Sequence, residues 1–225
     1  MDIILIRHAQ PAWIDTTGLA RDNPGLTELG HAQAATLDGV CARYRDVRDF
    51  WVSPTVRTRE TASYIKCFER EPRVVDNFEE YRTPRWEGLP APEVVKKMTG
   101  ARYSSLDDWN EGLHGAERID DFRHRVCEAL YQQLERVGAR KRDGGPLWDI
   151  EEAEQRVVMV GHAGTNGVII AELLGVDHVP WPWERFASAH AAITRIASCE
   201  ISDGHVFTLR GFNRMEHLPL RSRTR

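Results

Sequence analysis

Residues Asp2–Trp13 read DIILIRHAQPAW. Ile3, Ile4, Leu5 and Ile6 form an uninterrupted, mostly β-branched apolar run, the pattern of a strand covered on both faces. The run stops at Arg7–His8, and Pro11 prevents its extension. A guanidinium and an imidazole therefore follow the end of a core strand, where open α/β sheets take their ligands. Taken by itself, the segment fits a surface loop that begins with Arg-His equally well, so the rest of the chain has to decide.

The same signature recurs at Arg156–Gly161 (RVVMVG), a second buried strand that runs into His162. Between the two, Thr27 is a candidate N-cap for a helix with Leu29, Gln33, Leu37, Val40 and Tyr44 at helical spacing. Phe50–Val52 reads as a strand, Arg59–Phe68 as a helix with Ala62 and Ile65 inward, and Arg73–Val75 as a third strand. Arg57 lies near a helix N-terminus, where backbone N–H groups favour an anion. The stretch at about 79–115 has little periodicity and three prolines, and is read as an excursion over the active site with a helix near Glu93–Met98. Ile119, Phe122, Val126, Leu130, Leu134 and Val137 trace one face of a helix over Asp120–Val137.

Lys141–Gln155 is expected to be a polar, Gly-rich loop, and Thr165–Leu174 an apolar helix. Trp181–Pro182–Trp183 reads as a rigid aromatic turn, and Ala192–Ala197 and His205–Leu209 as strands joined across Asp203–Gly204. Strands alternating with helices predict a three-layer α/β/α sandwich: a mostly parallel central sheet with one antiparallel edge strand, in a single domain spanning 1–225.

Composition narrows the function classes. The chain has 225 residues, 41% hydrophobic and 28% charged, enough for one substantial core. A net charge of -4 gives no support to nucleic-acid or anionic-membrane binding. The four cysteines (Cys41, Cys67, Cys127, Cys199) are dispersed, without CxxC or ligand spacing, and read as reduced thiols. No apolar run reaches membrane-spanning length, and the chain enters a strand directly after Met1. A soluble cytoplasmic protein is the expectation.

A parallel sheet places the C-terminal ends of its strands along one edge, so His8 and His162 can meet there with Arg7 and Arg57. Two guanidinium forks match phosphate oxygens, and such a cluster suits a tetrahedral dianion and the charge of a transferring phosphoryl group. A metal hydrolase using the same histidines lacks a third ligand at recognisable spacing.

These pieces resemble the histidine phosphatase superfamily, which includes the phosphoglycerate mutases and related phosphatases. LIRHAQPAW, LTELGHAQA, SPTVRTRETA, FEEYRTPRWEGL, HGAERIDDFRHRV, VVMVGHAG and NRMEHL match its motifs, in order, from the first strand nearly to the end. The resemblance implies that His8 is the nucleophile, carried as a phosphohistidine, and that Arg7, Arg57 and His162 bind and stabilise the phosphoryl group. A nucleophilic imidazole must be neutral, and the two arginines favour that form; a backbone carbonyl is expected to hold its other nitrogen.

Counting back from Trp86–Glu87–Gly88, the family pattern selects Glu80 as general acid and base, its proton affinity raised by a bound dianion. Glu79, Glu87 and Glu117 are left to surface or capping roles. Gln10, Ala163 and Asn166 are further candidate substrate contacts, with Arg82 and Arg85 more remote. Against the family pattern, Ala9 and Ala163 replace glycines, Pro84 replaces a glycine, and Asn166–Gly167 replaces an Ile-Arg-like pair, changes that bear on substrate identity. The reading favoured is a metal- and cofactor-independent phosphatase acting on a small phosphate ester. The basic insertion of the phosphoglycerate mutases is not evident. A mutase, or a non-catalytic phospholigand-binding module, are the alternatives, and a homodimer remains open.

Overall fold

The structure, a computed structural model, describes residues 1–44, 46–103, 105, 108–177 and 182–225, with side chains omitted at 101, 102, 182 and 183. An eight-stranded sheet forms its middle layer: β1 (Asp2–Arg7), β2 (Val47–Val52), β3 (Arg73–Val74), β4 (Ala139–Lys141), β5 (Trp148–Ile150), β6 (Arg156–Gly161), β7 (Ile193–Ile201) and β8 (Gly204–Arg214). Their order across the sheet is β3-β2-β6-β1-β7-β8-β5-β4.

Strand β1 lies near the centre, parallel to β6 in a register that sets Arg7 beside Gly161. The two strands therefore end level, and the histidines that follow them emerge together. Alternation along β1 splits its side chains between two cores. Ile3 and Leu5 pack with α5 (Ile119–Glu135) and α6 (Ala163–Leu174), while Ile4 and Ile6 pack on the side of α1 (Glu28–Ala35), α2 (Leu37–Cys41) and α3 (Val56–Ser63). Helices on both faces explain why β1 and β6 are apolar at every interior position.

The layered α/β expectation holds, but only the β3-β2-β6-β1 half of the sheet is parallel. The β1–β7, β7–β8, β8–β5 and β5–β4 pairings are all antiparallel, so the antiparallel part is larger than one edge strand. Short connections force this for β7–β8 and β4–β5, because a parallel crossover needs a dozen or more residues, whereas β1–β7 and β8–β5 join strands far apart in the chain. The β7–β8 hairpin turns at Ser202–Asp203, with Ser202 at φ +55°, one residue earlier than Asp203–Gly204. Strands β4 and β5 replace part of the expected loop. Three residues are too few to show alternation, and β5 is anchored by the buried Trp148 ring, 5.2 Å from Phe207.

Helix boundaries also shift. The helix after Thr27 breaks at Thr36 into α1 and α2, and α3 begins at Val56 rather than Arg59, which brings Arg57 into its first turn. Thr27 caps α1 by accepting from Gly30 N–H at 2.9 Å. The excursion carries α4 (Ala91–Arg102), longer than expected. It is stitched to the loop after β1: Gly88 N–H donates to Ala20 O and Ala20 N–H to Leu89 O, both at 2.9 Å. Trp181 lies outside the described residues, as do the side chains of Pro182 and Trp183; a short helix, α7, covers Pro182–Arg185.

Candidate active site

His8 is buried at the end of β1, with its Nδ1 2.8 Å from the carbonyl of Ala9. A carbonyl can only accept, so Nδ1 carries the proton and Nε2 keeps its lone pair. The peptide beyond is held by Ala9 N–H donating to Thr61 Oγ1 at 3.0 Å and Gln10 N–H to Gln33 Oε1 at 2.8 Å. Helix α1 meets this loop at Gly30, where any Cβ would collide with the Gln10 carbonyl oxygen.

His162, fully buried, caps α6, and its ring centroid lies 5.2 Å from that of His8. Its Nε2 is 2.7 Å from Ser53 Oγ. Both rings are held well below the ordinary imidazole pKa. Burial is the leading cause for each, with the positive charges of Arg57 and Arg7 adding to it. The expectation named the arginines, but exclusion of water does more.

Arg7 and Arg57 are nearly buried, and loss of solvent lowers the pKa of each to about 10, so both stay cationic at neutral pH. Arg7 donates from Nη1 to Ser188 O at 2.5 Å and from Nη2 to His190 Nε2 at 3.1 Å. Arg57 lies 4.5 Å from the ring centroid of Trp13, a stacking contact that fixes its fork. Arg7 Nε, Arg57 Nε and His162 Nδ1 are buried nitrogens with no hydrogen-bond partner among the described residues. Buried donors are rarely left so, which makes these three the candidates to meet a bound acceptor.

Glu80 approaches from the excursion. Its carboxylate accepts from Gly164 N–H at 2.9 Å, Thr165 N–H at 3.1 Å and Tyr81 N–H at 3.0 Å, directly over the N-terminus of α6 and beside His162. Arg125 fixes its backbone by donating to the carbonyls of Asn77, Glu79 and Glu80 at 2.9–3.0 Å while gripping both oxygens of Glu117. Glu79 instead points outward to Arg82 at 2.9 Å. Glu87 pairs on the surface with Arg21 at 3.0 Å.

The remaining candidates divide. Ala163 opens α6, so its N–H has no acceptor within the helix. Gln10 Oε1 is already engaged by Thr27 Oγ1–H at 2.7 Å. Asn166 is buried on the first turns of α6 with Oδ1 packed over Gly161. His190, Ser53, Trp13 and Arg125 were not singled out from sequence. Arg125 sits inside a quoted motif at helical spacing from Glu117, which was a usable signal; His190, in a run of small residues, offered none.

A model described as histidine phosphatase superfamily (branch 1) matches residues 3–213. A bifunctional protein of Mycobacterium tuberculosis, Rv2228c, is 29% identical over 126 residues, 55% of this chain and 35% of that protein. The matched region thus spans about a third of the length of that curated relative. Among solved structures, mycobacterial glucosyl-3-phosphoglycerate phosphatase Rv2419c shares the fold with a TM-score of 0.72 at 22% identity, over 95% of this chain and 99% of that one. A phosphoserine phosphatase mutant from Entamoeba histolytica in complex with phosphoserine gives 0.67 at 19% identity, over 97% and 99%. The α-ribazole phosphatase from Shigella flexneri gives 0.67 at 20%, over 95% and 96%.

Proposed function

The chain belongs to the histidine phosphatase superfamily, and from that premise we propose that it is a phosphomonoester hydrolase working through a phosphohistidine on His8. One observation carries the reading: the buried His8 ring has Nδ1 tied to Ala9 O and faces His162 at 5.2 Å, which leaves Nε2 as the nucleophile. Arg7 and Arg57 bind the phosphoryl oxygens and offset the charge that builds on them during transfer.

In the first step Nε2 of His8 forms a bond to phosphorus as the ester P–O bond breaks. Glu80 gives its proton to the departing oxygen, and the alcohol leaves. In the second step Glu80 takes a proton from water as that water attacks phosphorus, the P–N bond breaks, and phosphate and free His8 are restored. His162 donates from Nδ1 to a phosphoryl oxygen, an arrangement that Ser53 supports by donating its hydroxyl proton to Nε2. Small phosphate esters are the substrate class we infer, in line with the phosphatases whose fold the chain shares.

The test is hydrolysis of p-nitrophenyl phosphate in EDTA, with trapping of the phosphoenzyme from labelled substrate. Acid-labile, base-stable label on the wild type and none on His8→Ala is expected. Label that survives in that variant would falsify the assignment of the nucleophile. Isomerisation of 3-phosphoglycerate primed by 2,3-bisphosphoglycerate, without net release of phosphate, would identify a mutase instead.

A further inference from the structure

The last residues of the chain fold back against the site. Thr224 Oγ1 lies 2.9 Å from His190 Nδ1 and also 2.9 Å from Gln33 Nε2. His190 N–H donates to Thr224 O at 3.0 Å, and Gln33 Nε2 donates to Ser222 O at 2.7 Å, so the segment is held by backbone as well.

The direction of each hydrogen bond follows from groups that can only donate, the Arg7 guanidinium on one side and the Gln10 backbone N–H on the other. Arg7 Nη2 donates to His190 Nε2, so the His190 proton is on Nδ1 and points to Thr224 Oγ1. Gln33 Oε1 accepts from Gln10 N–H, so its Nε2 donates to the same oxygen. Two arms thus leave one hydroxyl. One runs through His190 to the Arg7 fork, and the other runs through Gln33 to the peptide two residues beyond His8. His190 is itself buried, its ring centroid 5.6 Å from that of His8.

Resting on the phosphoryl-binding role given above to Arg7, we propose that Thr224 is a positioning residue for phosphate binding. By accepting from His190 and Gln33 together, its hydroxyl oxygen sets the Arg7 fork and the loop that carries His8. Coupling of this kind is reciprocal, so bound phosphate also holds the tail in place.

Thr224→Val keeps the shape and removes the acceptor, while Thr224→Ser restores it. For Thr224→Val, calorimetry with inorganic phosphate should show about a tenfold weaker Kd. KM for p-nitrophenyl phosphate should rise by a similar factor, and kcat should fall by less than KM rises. Thr224→Ser should return both to within about twofold of wild type. His190→Ala should weaken phosphate binding as well, and the double variant should lose less than the product of the two losses. Saturating phosphate should slow tryptic cleavage of the wild type after Arg221 and Arg223.

Wild-type binding in Thr224→Val, equal impairment in Thr224→Ser, or tryptic cleavage indifferent to phosphate overturns the proposal. An enzyme that binds phosphate but hydrolyses no ester would sink the catalytic reading alone, since the Kd still reports on the tail.

Discussion

Gly164 N–H donates to Glu80 Oε2 at 2.9 Å, joining residues 84 positions apart in the chain. The contact is close because residue 164 has no side chain; a Cβ there would drive into the Glu80 carboxylate. It places a carboxyl group above the N-terminus of α6, the position from which the proposed mechanism has Glu80 protonate the leaving oxygen.

Replacing Glu80 with Gln keeps one of its two accepting oxygens and removes the exchangeable proton. Turnover of p-nitrophenyl phosphate should fall by about 10²-fold or more, within the range of lost acid–base catalysis. Glu79→Gln removes only an exposed partner of Arg82 and should leave kcat within about threefold. The reverse ranking would show that the neighbouring carboxylate is the acid.

Arg125 and Glu117 form a nearly buried pair, with side chains 12% and 10% exposed. Arg125→Met should destabilise the fold by about 3 kcal/mol in urea titrations, because it takes the cation from the nearly buried Glu117 and a donor from three carbonyls. Turnover should drop with it, since the backbone of Glu80 loses its anchor. A variant of normal stability and normal kcat would refute the positioning role.

Acid should weaken the fold earlier than carboxylate titration alone would. His8, His162 and His217 are all held below 6.5, chiefly by burial, and His190 is lowered to about 3. Once unfolded they would bind protons near 6.5, so the unfolded state takes up more protons and stability declines as pH falls below that value. Each of the buried His8, His162 and His190 contributes about 1.4 kcal/mol per pH unit until its folded pKa is reached, and the part-exposed His217 contributes less. Urea midpoints at pH 7 and pH 5 measure the slope. In His190→Asn it should be shallower by about one proton, and an unchanged slope would count against a neutral His190.

Trp13 is 41% exposed, yet it stacks on Arg57. Trp13→Ala removes a contact of about 1 kcal/mol, so KM should rise by roughly fivefold while thermal stability stays close to wild type. A KM indifferent to the change would mean that Arg57 keeps its place without the indole.

Much of the site was legible in local sequence because it is attached to local signals. Each histidine follows a short apolar run, and a strand buried on both faces has few other ways to present a polar end. Arg57 could be placed near a helix start, though the start itself lies at Val56. Strands β4 and β5 carry no signal because three residues show no period, and the buried Trp148 lies inside a polar, Gly-rich stretch.

By itself the sequence determined the alternation of buried strands and amphipathic helices, since burial pattern is a local property, and it put His8 and His162 each at the end of a buried strand; their meeting needed β1 and β6 to pair parallel and level. Only the tertiary structure decided which groups complete the cluster. His190, Thr224 and Gln33 reach Arg7 and the His8 loop through contacts spanning from 23 to 191 positions of chain. The direction of those hydrogen bonds depends on which donor meets which acceptor once the layers have packed. Likewise the parallel half of the sheet follows from its crossovers, while the antiparallel β1–β7 and β5–β8 pairings join strands far apart in the chain, which no local signal specifies.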